Sequence, residues 1–371
     1  MEFTIARTVF TKALSKVQGI TGKKSNIPIT SNVVLSVKND QLKVSATDLE
    51  IAFEGKYEVK DAKPGDCAIP SRKLYEIVRE FPSESLFIKE LENKWIQVAD
   101  EKVEYNIVGM DIDEFPGIPS IEGMELFATD SDVLHDMIEK TQYAVLADEG
   151  RVNLTGVFFE QIVEGDQKRL RMVATDGHRL SRIDAPLDAN MGFSLRKGVI
   201  IPRNGMMEII KALEEGENIE IGVKEGNFVL KKSSEALIIR LIDGEFPDYN
   251  LVIPKSTKHV MKINKDAFLK MLKRMSILSS SKYRSVRCEL RKNRLETITS
   301  NPEIGESREV MSVEYNGEDI DIAFNPRYVI DALNSMRSDE VRLNLNDGET
   351  PCIVDGDEDP GFLGVLMPMR I

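Results

Sequence analysis

The residues best equipped for chemistry are grouped in the segment Thr175–Arg179, which reads TDGHR. An Asp beside a His can orient the imidazole as a general base, and the following Arg could bind a phosphate. A hydrolase or transferase built around Asp176 and His178 is therefore one hypothesis, although the spacing of the chain marks no nucleophile or second carboxylate for it. The same residues also fit a strand that ends in an Asp-Gly turn, with Leu180 and Ile183 returning to the core.

Other catalytic and ligand-binding motifs are absent from the sequence. It contains no GxxxxGK[ST] loop, no GxGxxG, no HExxH and no GxSxG. The cysteines Cys67, Cys288 and Cys352 are far apart and odd in number, which predicts neither a disulfide framework nor a zinc site and favours a reducing cytoplasm. His135 and His259 are interpreted as surface or packing residues. The sequence thus predicts a protein that is not an enzyme and needs no metal or cofactor.

The end of the chain, Gly361–Ile371, is apolar on an acidic protein. Part of it is expected to form a last strand in the core. The Met-Pro-Met segment cannot continue regular structure in the same way, and flexible Met side chains suit adaptable binding surfaces.

The elements that would position these residues repeat along the chain. The segment Ala68–Ile77 parallels Ile200–Ile209, and Ala323–Ala332 is a weaker third copy. Each segment predicts a strand, then a Pro near a helix start, then an amphipathic helix. Pro suits the first helical turn because a backbone N–H there has no intrahelical hydrogen-bond partner.

Further helices open each third of the chain, near residues 8, 131 and 265, and each has an apolar face. In the first of them, this face comprises Val9, Phe10, Ala13, Leu14 and Val17. Short alternating stretches with turn residues between them predict antiparallel strands.

Each third is therefore expected to be an α+β unit of two helices on antiparallel sheets. We place the domains at residues 1–122, 123–254 and 255–371. The alternative is one large α+β fold with accidental internal similarity. No early apolar run or long hydrophobic stretch predicts a signal peptide or a membrane segment.

Charge is distributed unevenly in this chain of 371 residues and net charge −13. The first helix holds Lys12 and Lys16 and no acid. The stretch Lys262–Arg294 holds eleven basic and two acidic residues, a local charge of +9. A solvated helix face followed by a polar strand pair is the simple interpretation, but a surface that contacts duplex phosphates accounts better for the asymmetry. The third helix does not fit this pattern, because its acids outnumber Lys140.

Five segments resemble the bacterial sliding clamps, the beta subunits of DNA polymerase III. They are Ile27–Ile29 (IPI), Ala46–Glu50 (ATDLE), Ala174–Leu180 (ATDGHRL), Phe246–Tyr249 (FPDY) and Met367–Ile371 (MPMRI). The similarity runs in order along the whole chain. It implies three similar domains per chain and a head-to-tail homodimer that forms a six-domain ring, with the helices lining the hole.

The resemblance implies two sets of surface residues. The dimer interface would place Lys73, Tyr105 and Ile107 of one chain against Arg274, Ile277 and Leu278 of its partner. The residues implied at the DNA backbone are Lys12, Lys16, Lys24, Arg72, Arg151 and Arg203.

The family also implies a hydrophobic cleft between the second and third domains. It would accept short linear motifs of DNA polymerase, the clamp loader and repair proteins. The matching positions are Leu154, Thr175, Gly177, His178, Arg179, Leu180, Pro247, Val252, Val365, Leu366, Met367, Pro368, Met369 and Arg370. Asn250 and Leu251 depart from the family pattern, where basic residues are common, so the rim is expected to be more apolar here.

The predicted function is that of a processivity factor that encircles double-stranded DNA without sequence specificity. It would act in the bacterial cytoplasm, in association with the nucleoid. The remaining alternative is a DNA-binding module that uses the Lys262–Arg294 surface without encirclement.

Overall fold

The computed structural model describes residues 1–22, 27–147, 149–187, 195, 197–278 and 284–370. They form two compact units. One consists of Met1–Asp132 and Asn204–Leu241, and the other of Val133–Arg203 and Ile242–Ile371.

Six α-helices lie within these described residues, two in each third of the chain. The three helices predicted near residues 8, 131 and 265 begin within one residue of those positions, and each of the six follows a strand directly or after one residue. Asn264 and Asn325 cap two of them by accepting hydrogen bonds from backbone N–H groups of the first turn. The helices are α1 Arg7–Thr21, α2 Ser71–Glu80, α3 Ser131–Glu139, α4 Arg203–Ala212, α5 Lys265–Met275 and α6 Pro326–Asn334.

The strands of the three thirds follow one plan. In the first third they are β1 Glu2–Ala6, β2 Asn32–Lys38, β3 Gln41–Thr47, β4 Ile51–Glu58, β5 Lys60–Lys63, β6 Gly65–Pro70, β7 Ser85–Glu90, β8 Trp95–Ala99 and β9 Glu104–Val108. In the second they are β10 Phe127–Asp130, β11 Gly156–Glu164, β12 Gln167–Thr175, β13 Arg179–Pro186, β14 Val199–Pro202, β15 Asn218–Lys224, β16 Asn227–Lys232 and β17 Glu235–Arg240. In the last they are β18 His259–Asn264, β19 Val286–Arg291, β20 Arg294–Asn301, β21 Gly305–Ser312, β22 Ile320–Phe324, β23 Glu340–Leu345, β24 Cys352–Gly356 and β25 Phe362–Leu366.

Each third therefore reads strand, helix, three strands, strand, helix, three strands, with β5 as an addition in the first. Equivalent strands also pair alike: β1 with β7, β10 with β15, and β18 with β23. This agreement in order and pairing confirms the predicted α+β fold of three similar repeats.

The sheets connect neighbouring repeats. In the first unit, one sheet has the order β5-β1-β7-β8-β9 and the other β10-β15-β16-β17-β4-β3-β2-β6. In the second unit the orders are β14-β11-β12-β13-β25-β24-β23-β18 and β21-β20-β19-β22. Both eight-stranded sheets contain four strands from each of two repeats, joined antiparallel by β4 with β17 and by β13 with β25.

The cores lie between these sheets and the helices. On α1, Phe10, Ala13, Leu14 and Val17 are fully buried, as expected of a stripe with helical spacing. The prediction that Val9 shares this face is wrong, since its side chain is 41% exposed. Adjacent residues of a helix are rotated by about 100° about its axis, so Val9 points away from the face that carries Phe10. Within the described ranges, every helix is too short or too polar to span a bilayer.

Two substitutions on α1 test this core. Leu14→Ala should lower the free energy of unfolding by about 2–5 kcal/mol, because it leaves a cavity in a fully buried site. Val9→Ala, on the exposed side of the same helix, should change it by no more than about 0.5 kcal/mol. Urea denaturation followed by circular dichroism measures both, and equal losses would contradict the assigned face.

Candidate functional site

A tight turn connects β12 to β13 and carries the residues that suggested catalysis. The Asp176 carboxylate accepts hydrogen bonds from the backbone N–H groups of His178, at 2.9 Å, and Arg179, at 3.0 Å. The Thr175 hydroxyl donates to the Arg179 carbonyl, and Gly177 has φ of +89°, a conformation that favours glycine. The carboxylate thus stabilises the turn, as the structural interpretation predicts, rather than orienting an imidazole ring.

The Arg179 side chain is the hub of this region. Its guanidinium contacts the Asp176 carboxylate at 3.0 Å, the Asp331 carboxylate on α6 at 2.6 Å and the Tyr143 carbonyl at 2.6 Å. It also lies 4.5 Å from the ring centroid of Tyr328. Arg179 therefore connects the second repeat to the third. Because only 11% of its side chain is exposed and its charge is paired, it is not a free cation for a ligand.

Two aromatic side chains flank Arg179 and His178. The Tyr328 ring stacks on the His178 ring with a centroid distance of 6.2 Å. Burial raises the pKa of the Tyr143 hydroxyl to about 12, so this group stays protonated and neutral at physiological pH. Sequence reasoning missed both tyrosines, because nothing in their local pattern indicates contact with a turn far away in the chain.

An apolar floor lies beside the turn. Leu180, Val173, Val365 and Tyr249 form one buried cluster, against which Phe158, Phe246, Ile253 and Leu363 pack. The Phe158 and Phe246 rings are stacked 4.9 Å apart. The structure thus brings together the segments ATDGHRL, FPDY and the last strand, which are widely separated in the sequence.

A polar network of hydrogen bonds holds the Tyr249 hydroxyl in place. Its hydroxyl donates to Glu160 at 2.5 Å and accepts from Arg171 at 3.1 Å. Arg171 in turn makes two hydrogen bonds, of 2.6 and 2.7 Å, to the Asp184 carboxylate. Burial raises the pKa of Tyr249, so the phenol remains a donor and the floor keeps a fixed position.

The end of the chain, predicted to form part of the cleft, lies against the β12–β13 turn. Val365 and Leu366 are buried in β25, and the Met367 N–H donates to the His178 carbonyl at 3.0 Å. The Met367 side chain is 36% exposed. Met369 pairs with Ala323 through a 2.7 Å backbone hydrogen bond, so the tail crosses the third repeat instead of extending freely.

Exposed apolar side chains follow the buried Tyr249. Leu251 is 82% exposed and Val252 is 42% exposed, both at the end of a 3-10 turn that begins at the buried Tyr249. Leu154 is buried, whereas Pro247 and Arg370 are exposed and Pro368 is partly buried. Arg151, predicted at DNA, donates instead to the Asp176 carbonyl at 3.2 Å and so lies beside the cleft turn.

The other predicted DNA-contacting residues are in different states. Arg72 is 84% exposed and lies 3.1 Å from Glu76, and Arg203 is exposed at the first position of α4. Lys24 lies outside the described residues. Lys12 is 60% exposed, but Lys16 is only 11% exposed and contacts Glu235 at 2.5 Å. Lys16 is therefore largely enclosed and partly neutralised, whereas Lys12 is mainly exposed.

The basic stretch Lys262–Arg294 is largely neutralised in three dimensions. Arg287 and Arg291 contact Asp321 at 2.7 and 2.8 Å, and Arg294 contacts Glu296 at 2.6 Å. The local charge of +9 is thus an overestimate, because neighbouring strands supply the counter-charges. Lys270 and Lys273 on α5 are exposed, and Lys282 lies outside the described residues.

The acids of the third helix also have partners. Asp136 lies 3.1 Å from Lys140 and 2.9 Å from Arg337, and Lys140 is itself buried against Asp359 at 2.9 Å. Asp136 therefore belongs to an ionic network that joins the second repeat to the third.

Two of the predicted interface residues lie on an edge strand, and the others lie on helices or on the turn after α5. Tyr105 and Ile107 are on β9, the terminal strand of its sheet, and Tyr105 is 45% exposed. Arg274 makes an ion pair with Glu309 on β21, the terminal strand of another sheet. Ile277 is 75% exposed, Leu278 is partly buried, and Lys73 is exposed on α2.

The three cysteines are buried. Burial raises the pKa values of the Cys67 and Cys288 thiols to about 12, and that of Cys352 also rises, so all three stay protonated. His135 lies on α3, and His259 begins β18 with its ring against Tyr315.

Comparison with known proteins agrees with this geometry. Family models for the N-terminal, central and C-terminal domains of the DNA polymerase III beta subunit match residues 1–119, 128–248 and 250–370. The beta sliding clamp of Vibrio cholerae is 32% identical over 378 residues, covering 100% of both chains.

Solved structures extend the similarity to the fold. The DNA polymerase III subunit beta from Pseudomonas aeruginosa has a TM-score of 0.92 and 31% identity, covering 100% of both chains. A Caulobacter crescentus beta sliding clamp, with polyethylene glycol in a putative beta-motif tethering region, gives the same TM-score, identity and coverage. These full-length matches confirm the predicted non-catalytic class of protein. The chain belongs to the DNA polymerase III beta-subunit family, the bacterial beta sliding clamps.

Proposed function

We propose that two copies of this chain close head to tail into a ring that encircles duplex DNA and tethers DNA polymerase to it. The observation that carries this proposal is the pair of open sheet edges at β9 and β21. Exposed edge strands present unpaired backbone N–H and C=O groups and invite pairing with another chain.

The two junctions inside the chain indicate how these edges pair. In each, the third strand after the first helix of one repeat joins the last strand of the following repeat: β4 with β17, and β13 with β25. By the same rule, β21 of the third repeat requires the last strand of a first repeat, which is β9. A second copy supplies it, and repetition of one head-to-tail contact closes a ring.

The side chains at the two edges fit such a junction. Tyr105 and Val108 on β9 are 45% and 57% exposed, and Val310 on β21 is 48% exposed. Ile277, at the end of α5, adds an apolar side chain that is 75% exposed. We assign Lys73, Tyr105, Ile107, Arg274, Ile277 and Leu278 to this interface.

Contact with DNA is proposed to be weak and independent of sequence. The exposed Arg72 and Arg203, with Lys12 and the α5 lysines, would meet phosphates, which carry no base information. A ring holds DNA by topology, so loose, salt-screened contacts are sufficient and permit sliding. Lys16 and Lys24 remain in the proposed set, the first as a partly neutralised cation.

The cleft is proposed to bind short linear motifs of polymerase, the clamp loader and repair proteins. Buried Leu180, Val365 and Leu366 provide an apolar floor, and Met367 provides an adaptable wall. The exposed Leu251 would favour motifs with an additional apolar residue at the rim. The domain boundaries near residues 122 and 254 remain part of this proposal; the matched family models end at residues 119 and 248 and resume at residues 128 and 250. The site of action is proposed to be the bacterial cytoplasm at the nucleoid.

Retention on DNA of defined topology tests the ring. After loading by a clamp loader, the protein should remain on nicked circular duplex at high salt and be lost when the same DNA is linearised. Equal, salt-sensitive loss from both forms would indicate the non-encircling electrostatic binder.

The interface is tested by charge introduction at an edge. Ile277→Asp should convert the dimer to a monomer in sedimentation velocity, because a desolvated carboxylate without a partner opposes association. Leu251→Asp, which is equally exposed but outside the interface, should leave the dimer intact. A dimeric Ile277→Asp protein at micromolar concentration would show that the interface lies elsewhere.

Truncation of the cleft wall tests the partner site. Met367→Ala should weaken binding of a fluorescent polymerase peptide by about 2 kcal/mol, or about thirtyfold, as expected for a central anchor. Val163→Ala, an exposed apolar residue on β11, serves as the control. Unchanged anisotropy titrations for Met367→Ala would rule out this assignment.

A further inference from the structure

A cluster of six charges lies where the first repeat meets the second, within one compact unit. Glu214, in the connection between α4 and β15, lies 2.9 Å from Lys12, 3.8 Å from Lys16 and 3.3 Å from Lys232. Glu235 and Glu217 complete the cluster, which therefore contains three lysines and three glutamates.

The pairs in this cluster differ in exposure. Lys16 and Glu235 are 11% and 13% exposed, and their 2.5 Å contact is reinforced by the Tyr57 hydroxyl, which donates to Glu235 at 2.8 Å. Lys232 is 5% exposed and contacts Glu217 at 2.5 Å. The Lys16–Glu235 pair is enclosed between the first and second repeats and stabilises the junction, whereas the Lys232–Glu217 pair lies within the second repeat.

The Lys12–Glu214 pair is different because both side chains face solvent, with 60% and 48% exposure. An exposed pair of this kind contributes only about 0–1 kcal/mol, so an incoming anion can displace the carboxylate. Hydrogen bonds from Lys12 and Lys232 hold the pKa of Glu214 at about 2, and it is therefore negative throughout the physiological range.

We propose that Glu214 is an intramolecular competitor of DNA phosphate that occupies Lys12 between contacts and so keeps the grip of α1 on DNA weak. The inference rests on the proposed function, since it requires α1 to face the duplex. The tethered carboxylate neutralises Lys12, so fewer of the cations condensed on DNA are released when α1 meets the duplex.

This competition has a measurable consequence. Each free lysine that binds a phosphate steepens the dependence of log K on log salt concentration by about 0.9. Removal of the Glu214 carboxylate should release Lys12 to act as such a cation. Over about 50 to 200 mM salt, the affinity of the variant should fall about threefold more than that of the unmodified protein.

The experiment measures equilibrium binding of the full-length dimer to a short fluorescent duplex across this salt range. Glu214→Gln should steepen the slope by about 0.9 and raise the affinity at low salt. Glu215 is an exposed neighbour in the same connection and makes no ion pair with the described lysines, so Glu215→Gln removes the same charge and should retain the original slope. Equal slopes for Glu214→Gln and Glu215→Gln would overturn the proposal.

A second variant guards against altered folding at the junction. Lys12→Gln should flatten the slope more in the Glu214→Gln background than in the unmodified protein, because Glu214 competes with phosphate for Lys12 only in the latter. Equal effects in both backgrounds would also overturn the proposal. Failure of the ring itself is distinguishable, because it shows as loss of the unmodified protein from circular DNA.

Discussion

Backbone hydrogen bonding between neighbouring repeats carries the architecture of this chain. A sheet edge leaves N–H and C=O groups without partners. Along the edges of β4 and β13, the last strand of the following repeat supplies partners for those groups. The eight-stranded sheets, the packing of the helices against them and the position of the cleft all depend on this pairing. Ionic networks then reinforce each junction, and they do so with different residues at each.

The second junction shows how a structural constraint also shapes a binding site. Arg179 reaches from the β12–β13 turn to Asp331 on α6, and Lys140 is buried against Asp359. Asp359 also accepts hydrogen bonds from the backbone N–H and hydroxyl of Ser338. Because these charged groups form ion pairs with one another, the proposed cleft presents mainly apolar side chains to a ligand. The residues that resemble a catalytic cluster in the sequence are the ones that hold the two repeats together.

Sequence reasoning succeeded where local rules decide the structure. Helix starts follow strands and are marked by Pro or Asn, and the Asp176-Gly177 turn has its own side-chain hydrogen bonds, so both could be predicted. The charge partners could not. Lys16 and Glu235 are 219 positions apart, and Arg287 meets Asp321 only because β19 pairs with β22. Counting charges along the chain treats such residues as free, and that is why the basic surface was overestimated.

The β9 and β21 edges are different strands, so the proposed contact between two copies is heterologous rather than self-complementary. A ring built from such contacts has a rotation axis through its hole and no axis in its plane. Its two faces are therefore unlike, and both Met367 side chains belong to the same face. Proteins that bind there must share a single side of the ring, and each acquires a fixed orientation relative to the direction of travel along DNA.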